Sequence, residues 1–350
     1  MAQRNTSLGD VSLRHVRSVV MSLAGSPWVR LTGSLVAVAL FVHSVDLAQA
    51  LRLYGQLVPG WTVLALGLAA LSVVASVAEW GVLLRGSGHR LDWSFLGSWY
   101  LKGLFVNQVT PAGIGSDAVR ALQVGKMTGH GPMVASLVAS RMAGTLAMSW
   151  WALAAAVITR DRLNIPGVTA FVLFAAAMMG AWALALVAEL VRRRIPEHHT
   201  ISHAIGRFVR PFSSAFEGYR GRPLRTVGRS IAAGIAAWGF NLFSMESISV
   251  ALHNDVSWSV FALILPVALL ATFIPLSANG IGVREGLIVL LLVRAHVALG
   301  TATALSLFVD LQLLPFAVLG GMVYLVQRRR RRASGLEADA RDRSVQDREC

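Results

Sequence analysis

Two interrupted apolar stretches decide the fold: TPAGIG at residues 110–115 and PLSANGIG at residues 275–282. Each lies inside an otherwise apolar region, the first in 94–127 and the second in 257–299. Proline removes a backbone donor and glycine destabilises a helix interior, so neither region is expected to form one continuous helix. We expect each to form two helical arms joined by irregular backbone, as a candidate re-entrant hairpin.

The composition around these stretches excludes a water-solvated protein. The chain has 350 residues, 55% hydrophobic and 14% charged, with a mean hydropathy of +0.60. This balance also excludes disordered, collagen-like and disulfide-rich classes, and the single cysteine, Cys350, has no partner. We therefore interpret the chain as an all-α integral membrane protein.

Six apolar runs are long enough to cross a hydrocarbon core of about 30 Å as helices. They occupy about 31–51, 61–84, 132–158, 167–191, 229–252 and 301–327. With the two hairpins they predict a polytopic bundle of six full crossings, or eight if the hairpins span. The predicted organisation is a basic N-terminus at 1–30, a transmembrane domain at 31–327 with repeats at about 31–158 and 167–327, and a charged tail at 328–350.

The placement of positive charge predicts sidedness. The formal charge is +14, and with the N-terminus inside, 21 Lys and Arg residues fall in inner segments against four in outer ones. Nine of them lie in a basic loop at 192–229, where we expect interfacial helices that attract anionic lipid. Both termini are therefore expected to face the cytoplasm, and the charge is attributed to topology and lipid, with no nucleic acid as partner.

The two interruptions share a pattern. The Gly-Ile-Gly triplets at 113–115 and 280–282 are 167 residues apart, and each follows a proline. Ionisable residues come directly after each triplet: Asp117 and Arg120, then Arg284 and Glu285. Three full crossings separate the hairpins, which turns the second upside down. This is the inverted repeat expected of alternating-access transporters.

The chemistry of these breaks favours an anionic ligand. A helix that restarts after a glycine directs backbone N–H groups and a positive dipole end into the cavity. Arg120 and Arg284 are expected to neutralise a phosphate. Asp117 and Glu285 have three open roles: capping the helices, pairing with the arginines, or taking up a proton or a cationic headgroup. The alternative is that the breaks are interfacial loops, with glycines as turn residues and charges as caps.

Other polar residues in the apolar runs are less specific. Asp46 and Glu79 lie near helix ends, where we expect capping or snorkelling. Arg141, Asn241, Glu246 and Asp310 lie within apolar runs, as pathway residues or as polar contacts between helices. The chain has no serine-hydrolase, Walker, zinc-protease or cysteine-pair motif, so we expect no enzyme, no cofactor and no metal.

At these residues the sequence resembles the lysylphosphatidylglycerol synthase/flippase transmembrane-domain family. The matching stretches are NQVTPAGIGSDAVR at 107–120, SLVASR at 136–141 and IPLSANGIGVRE at 274–285, within a resemblance that spans about 30–327. This sequence departs from the family at Ser140, where an acidic residue is usual. The resemblance implies a bacterial inner-membrane protein that moves phospholipids or lipid-linked molecules between leaflets. Two-domain members add a soluble aminoacyl-transferase domain, which we expect to be absent here.

Our leading hypothesis is a flippase-like transporter that moves a phospholipid or a lipid-linked anionic molecule between leaflets, with its anionic headgroup bound by the arginines. The alternative is a non-transporting membrane partner that presents a lipid carrier to a separate glycosyltransferase or aminoacyl-lipid synthase. A membrane enzyme acting on lipid phosphate is a third possibility. The candidate substrate-binding residues are Asn107, Pro111, Gly113, Gly115, Asp117, Arg120, Arg141, Pro275, Asn279, Gly280, Gly282, Arg284 and Glu285.

Overall fold

The structure is a computed structural model that describes residues 45–110, 115–159, 172–177, 223–271 and 282–327, with a few further positions at 39, 42–43, 169–170 and 179–180. These residues form helices. They are α1 (Leu47–Tyr54), α2 (Pro59–Gly86), α3 (Trp93–Val109), α4 (Gly115–Thr128), α5 (His130–Ile158), α6 (Pro223–Ala251), α7 (Trp258–Ala271), α8 (Val283–Arg294) and α9 (Leu299–Leu311), followed by α10 at 314–327.

Four helical segments are long and apolar enough to cross a membrane: Pro59–Gly86, His130–Ile158, Arg225–Ala251 and Leu299–Gln327. They coincide with four of the six predicted apolar runs. The run at 31–51 is described only in part, and there it is not one continuous helix, because a bend at Val45 and the cap Asp46 precede α1, which continues to Tyr54. The run at 167–191 lies mostly outside the described residues. Large apolar side chains such as Val63, Val74 and Leu319 point outward, as expected where the surrounding medium is hydrocarbon. The chain is therefore a multi-pass helical membrane protein.

The start of α6 also differs from the prediction. Helix α6 begins at Pro223, six residues before the start of the predicted apolar run. The last residues of the predicted basic loop therefore form the first turns of α6. Proline suits the first helical turn, where its missing N–H is not needed. The exposed Arg225 and Arg229 extend from these turns without interrupting the helix, because long cationic side chains reach away from apolar surroundings. The rest of 192–229, the N-terminus and the tail lie outside the described residues.

Both predicted breaks are present. Helix α3 ends at Val109 because Thr110 is extended, with φ −104° and ψ 138°, as required of a residue that precedes proline. Helix α4 begins again at Gly115. In the second region α7 ends at Ala271, and α8 begins after Gly282, whose φ of 86° lies in the left-handed range that favours glycine.

The last span also contains a break. The backbone turns at Gln312 and Leu313 between α9 and α10. Pro315 explains this turn, because it has no N–H to donate to the carbonyl of Leu311. The side chain of Gln312 is buried at the turn, and its Oε1 accepts a hydrogen bond from Ser244 Oγ at 3.0 Å. The break is therefore anchored to α6.

The described helices pack around two main apolar clusters, and the larger one includes Ala50, Ala65 and Ala155 of the first half. In the first half, Trp80, Leu84, Leu96, Val124, Met133 and Leu137 pack together between α2 and α5. A larger cluster joins α6, α7, α8 and α9, with Leu242, Phe261, Ile288 and Leu305 among its members. Helices α2 and α6 connect the halves.

Helices α2 and α6 run antiparallel along their length. The backbone N–H of Val58 donates to the Ala251 carbonyl at 3.2 Å, and Ser244 Oγ donates to the Ala65 carbonyl at 2.7 Å. Near the other end, a Cβ built on Gly234 would lie 3.5 Å from Glu79 Oε2.

A second connection joins α10 to α3. A methyl group on Gly320 would overlap the Leu101 carbonyl and lie 2.9 Å from the Lys102 nitrogen. Buried Lys102 donates through Nζ to Gln327 Oε1 at 2.6 Å, and its ammonium lies 3.7 Å from the centre of the Trp99 ring. The first arm of the first hairpin is therefore held against the end of the last span.

Candidate functional site

The arms of the first hairpin pack closely because glycines face them. A Cβ on Gly103 in α3 would lie 2.8 Å from Ser116 Oγ and 3.3 Å from the Ser116 Cα. A Cβ on Gly115 would lie 2.8 Å from the Thr110 Cβ. Only glycine allows this approach. It places Asp117, in the first turn of α4, next to the break.

The first charged cluster consists of Asp117, Arg120 and Arg141. Asp117 Oδ1 accepts a hydrogen bond from Arg120 Nη2 at 2.6 Å. Asp117 Oδ2 accepts two from Arg141, from Nε at 2.9 Å and from Nη2 at 2.7 Å. One carboxylate thus holds two guanidinium groups and joins α4 to α5. Two positive charges against one negative leave the cluster with a net positive charge.

The two arginines differ in exposure. Arg120 is 8% exposed, and its guanidinium carbon lies 5.1 Å from the Trp80 ring centre and 5.2 Å from that of Tyr100. Stacking on aromatic rings keeps a buried guanidinium in place. The Arg141 side chain is 61% exposed although it lies well inside α5. Arg141 is therefore the more accessible of the two cations.

The second charged cluster consists of Arg284, Glu285 and Asp310. Arg284 donates to Glu285 Oε1 from Nη2 at 2.7 Å and from Nε at 3.0 Å. The same Nη2 also donates to Asp310 Oδ1 in the last span. One guanidinium thus holds two carboxylates and joins α8 to α9, which leaves a net negative charge. The side chain of Glu285 is almost completely buried, and that of Asp310 is 40% exposed.

At the second helix restart, a side chain takes one of the backbone N–H groups that the sequence predicts to be open to a ligand. The Gly282 N–H donates to Glu285 Oε2 at 2.5 Å. A carboxylate at N3 reaches back to the residue before the helix in this way and satisfies one of the orphan donors. Of the three open roles, Glu285 thus both caps its helix and pairs with arginine, whereas Asp117 pairs with arginines.

The prediction for Glu79 was wrong, whereas the prediction for Asp46 is confirmed. Asp46 Oδ1 accepts from the Gln49 N–H at 2.8 Å, which caps α1. Glu79 neither caps nor snorkels, because it is 6% exposed and its Oε1 accepts from Ser140 Oγ at 3.0 Å. Its partner is the residue at which the sequence departs from the family pattern. An acid from α2 thus lies beside position 140, and Arg141 pairs with Asp117.

The structure brings the predicted residues together in two sets. Asp117, Arg120 and Arg141 form one, and Arg284 with Glu285 forms part of the other. Asn107 lies near the end of α3, with a buried Oδ1 that has no hydrogen-bond partner in the described part of the chain. The remaining candidates lie outside the described residues: Pro111, Gly113, Pro275, Asn279 and Gly280.

Sequence reasoning did not assign Asp310 to the second cluster, and it missed the contact between Glu79 and Ser140. Asp310 is the one acid in the last apolar run, and the sequence indicates it as a pathway residue or a polar contact between helices without indicating Arg284 as its partner. Glu79 and Ser140 come from different helices, and no spacing in the chain indicates their contact.

Among the described residues, no group of three or more His, Cys, Asp or Glu side chains is arranged to hold a metal ion.

These features define an all-helical, multi-pass membrane protein with charged clusters between its helices. The family described as the lysylphosphatidylglycerol synthase TM region matches residues 27–321 of the 350. The chain belongs to this family, which associates it with membrane phospholipids. No curated protein and no solved structure matches the chain.

Proposed function

We propose that this protein moves a phospholipid or a lipid-linked anionic molecule between the leaflets of the membrane without changing it chemically. The observation that carries this proposal is the pair of charged clusters, each located where a broken segment restarts as a helix. Charges inside a membrane cost free energy and are usually kept for a pathway or a ligand.

A shift of 167 residues supports an inverted repeat. It carries α2 onto 226–253, α3 onto 260–276, α4 onto 282–295 and α5 onto 297–325, and these ranges overlap α6, α7, α8 and the last span respectively. The antiparallel pairing of α2 with α6 fits this arrangement, since equivalent helices of inverted repeats run in opposite directions.

The arms of the hairpins are short. Helices α3, α4, α7 and α8 have 17, 14, 14 and 12 residues, whereas a crossing takes about 20 residues. We therefore propose six full crossings and two re-entrant hairpins, with both termini in the cytoplasm of a bacterial cell. The two hairpins then enter from opposite faces.

The same shift carries Asp117 onto Arg284. Each residue is the centre of its cluster, and each reaches the helix that follows its hairpin: Asp117 contacts Arg141, and Arg284 contacts Asp310. The central residue is an acid in the first half and an arginine in the second, but in both halves it forms an ion pair with the helix that follows the hairpin. We propose that the two clusters form gates on opposite sides of one headgroup path.

The charge of the first cluster suits a phosphate. A guanidinium binds phosphate oxygens bidentately. The exposed Arg141 can release Asp117 and bind the headgroup, and Asp117 then remains paired with Arg120. Arg120 then supplies the buried positive end of the same site. In the second cluster Arg284 receives the headgroup only when Asp310 or Glu285 releases it. The acyl chains remain in the bilayer while the head crosses.

Purified protein in proteoliposomes tests this proposal with a labelled anionic phospholipid and a leaflet-specific headgroup assay. Arg120→Ala and Glu285→Ala are expected to reduce movement to the rate of protein-free vesicles while the protein remains folded. Arg294→Ala, an exposed arginine at the end of α8, is the matched control and should keep the wild-type rate. Unchanged movement in both site variants rejects the proposed path.

Lipid recovered from the same vesicles should have an unchanged mass, because the proposal includes no reaction. Movement that appears only when a separate lipid-modifying enzyme is added would favour the presenting role over transport.

A further inference from the structure

Glu79 is a buried carboxyl that the proposed transport path does not use. It lies in the inner part of α2, where 6% of the residue is exposed. Within the described residues its hydrogen-bond partner is the Ser140 hydroxyl at 3.0 Å, and no cation there lies within ion-pair distance. A buried carboxylate without a paired cation is costly, and protonation relieves that cost.

The charged groups around Glu79 come from the neighbouring helices. Arg120 of α4 attracts it from beyond hydrogen-bond distance, and Arg141 of α5 is bound to Asp117. On its own helix, Arg85 lies over the Trp93 ring at 4.1 Å. On α6, Gly234 faces Glu79 Oε2, and the described ionisable residues of that half of α6 are the exposed Arg225 and Arg229. Arg120 is therefore the cation that responds to the charge of Glu79.

A small cleft lies about one helical turn from this carboxyl, between α2, α5 and α6. Its volume is about 10 Å³, and Ser230 is the polar residue of a lining that otherwise consists of apolar side chains such as Leu83 and Ala139. Leu83 is one helical turn from Glu79, and Ala139 precedes Ser140 in the chain. The Ser230 hydroxyl is fully buried without a hydrogen-bond partner among the described residues. One ordered water is the most that a cleft of this volume holds, and it would give this buried hydroxyl a partner.

We propose that Glu79 takes up and releases a proton, and that this exchange couples lipid movement to a proton gradient. A hydronium ion transfers its proton to Glu79 Oε2 and leaves a neutral water, and the reverse step returns the proton to water. Ser140 donates to Oε1 in both states. The inference rests on the proposed lipid movement for its transport consequence.

The consequence follows from the position of Arg120. When Glu79 is charged, two carboxylates act on Arg120, and its guanidinium stays with Asp117. When Glu79 is neutral, Asp117 acts alone, and an anionic headgroup competes for Arg120 more easily. Proton uptake at Glu79 thus favours binding of the headgroup, and proton release favours its departure.

Proteoliposomes with an imposed pH gradient test the coupling. A gradient of one pH unit, coupled one proton to one lipid, sets a leaflet ratio of up to about tenfold. Wild-type protein should accumulate the labelled phospholipid in one leaflet toward that ratio. Glu79→Gln, which fixes the neutral form, should give no accumulation. The control is Glu246→Gln. Glu246 Oε1 accepts a hydrogen bond from the backbone N–H of Trp258 at 3.3 Å, and a glutamine keeps that acceptor. Accumulation by Glu79→Gln, or accumulation driven by sodium and not by pH, overturns the inference.

Infrared titration of the purified protein distinguishes this inference from the proposed function. The carboxyl C=O band of wild-type protein should exceed that of Glu79→Gln at low pH, and the difference should disappear as the pH rises. Absence of any titrating difference between the two proteins overturns the inference even if lipid moves. A titrating difference without lipid movement in any variant supports the proton site and rejects the lipid path.

Discussion

At the scale of single residues, shared partners hold the buried charges. A charge at the centre of a bilayer costs roughly 2.5 to 3.5 kcal/mol on insertion scales, so an unshared arginine or carboxylate would oppose folding. Asp117 serves two arginines, and Arg284 serves two carboxylates. Counted over its described members, each cluster still keeps one unbalanced charge, which agrees with the proposed binding of a charged headgroup.

The pairing of Asp117 with Arg141 should be measurable as a coupling energy. We expect Asp117→Asn and Arg141→Gln each to destabilise the protein, and the double variant to lose less than the sum. The coupling should be about 1 kcal/mol, in the lower part of the usual range because the Arg141 side chain is 61% exposed. Chemical unfolding of the four proteins in detergent gives this value.

The control cycle combines Asp117→Asn with Arg85→Gln. The Arg85 side chain lies over the Trp93 ring and not in the Asp117 cluster. These two changes should be additive. Additivity between Asp117 and Arg141 as well would contradict the described contact.

At the scale of helices, glycines and prolines determine where each element ends and how closely two elements approach. Pro111 forces Thr110 out of the helical conformation, and Pro315 follows the turn that divides the last span. Gly320 lets the backbone of α10 rest on that of α3. The broken segments are therefore consequences of local chain stereochemistry, and neighbouring helices hold them in place.

The contact at Gly320 predicts a large difference between two glycine substitutions. Gly320→Ala should lower the free energy of unfolding by about 1 to 3 kcal/mol, because the new methyl group would overlap the Leu101 carbonyl and one of the helices must move. Gly67→Ala is the matched control in α2, where nothing lies within 4 Å of the added carbon. It should be neutral or slightly stabilising, since alanine is the better helix former. Equal thermal stability of the two variants in detergent would contradict the close packing.

The sequence predicts the elements well and their contacts poorly. The four described spans and both breaks follow from apolar length and from proline and glycine, which act locally. The Glu79 contact with Ser140 could not be predicted, because it joins residues 61 apart through the packing of two helices. For the same reason the sequence placed Arg284 in the second site but not its partner Asp310. The start of α6 could not be predicted, because the arginines in its first turns lower the local hydropathy, and a hydropathy pattern then places the start of the helix too late.

At the scale of the whole molecule, the antiparallel pairing of α2 with α6 brings equivalent parts of the two halves together. The turn before α3 and the turn before α7 then lie at opposite ends of this pair. Arg90 and Asp255 occupy these turns, and both are exposed. Inverted repeats place such positions on opposite faces of the membrane.

Cysteine labelling tests this arrangement. The only native cysteine is Cys350, so Cys350→Ser provides the background. In whole cells, a membrane-impermeant maleimide should label Asp255→Cys and leave Arg90→Cys unlabelled, and inside-out vesicles should reverse the result. Labelling of both positions from the same side would reject the inverted arrangement and with it the opposed gates.

The glycine contact between α3 and α10 also limits the route of a fatty tail. With two backbones touching at Gly320, no space the width of a hydrocarbon chain remains between these helices at that depth. A lipid that slides its head through the protein must trail its tails through a different lateral opening. Cross-linkers placed along the other helix boundaries would therefore trap the tails, whereas those flanking Gly320 would not.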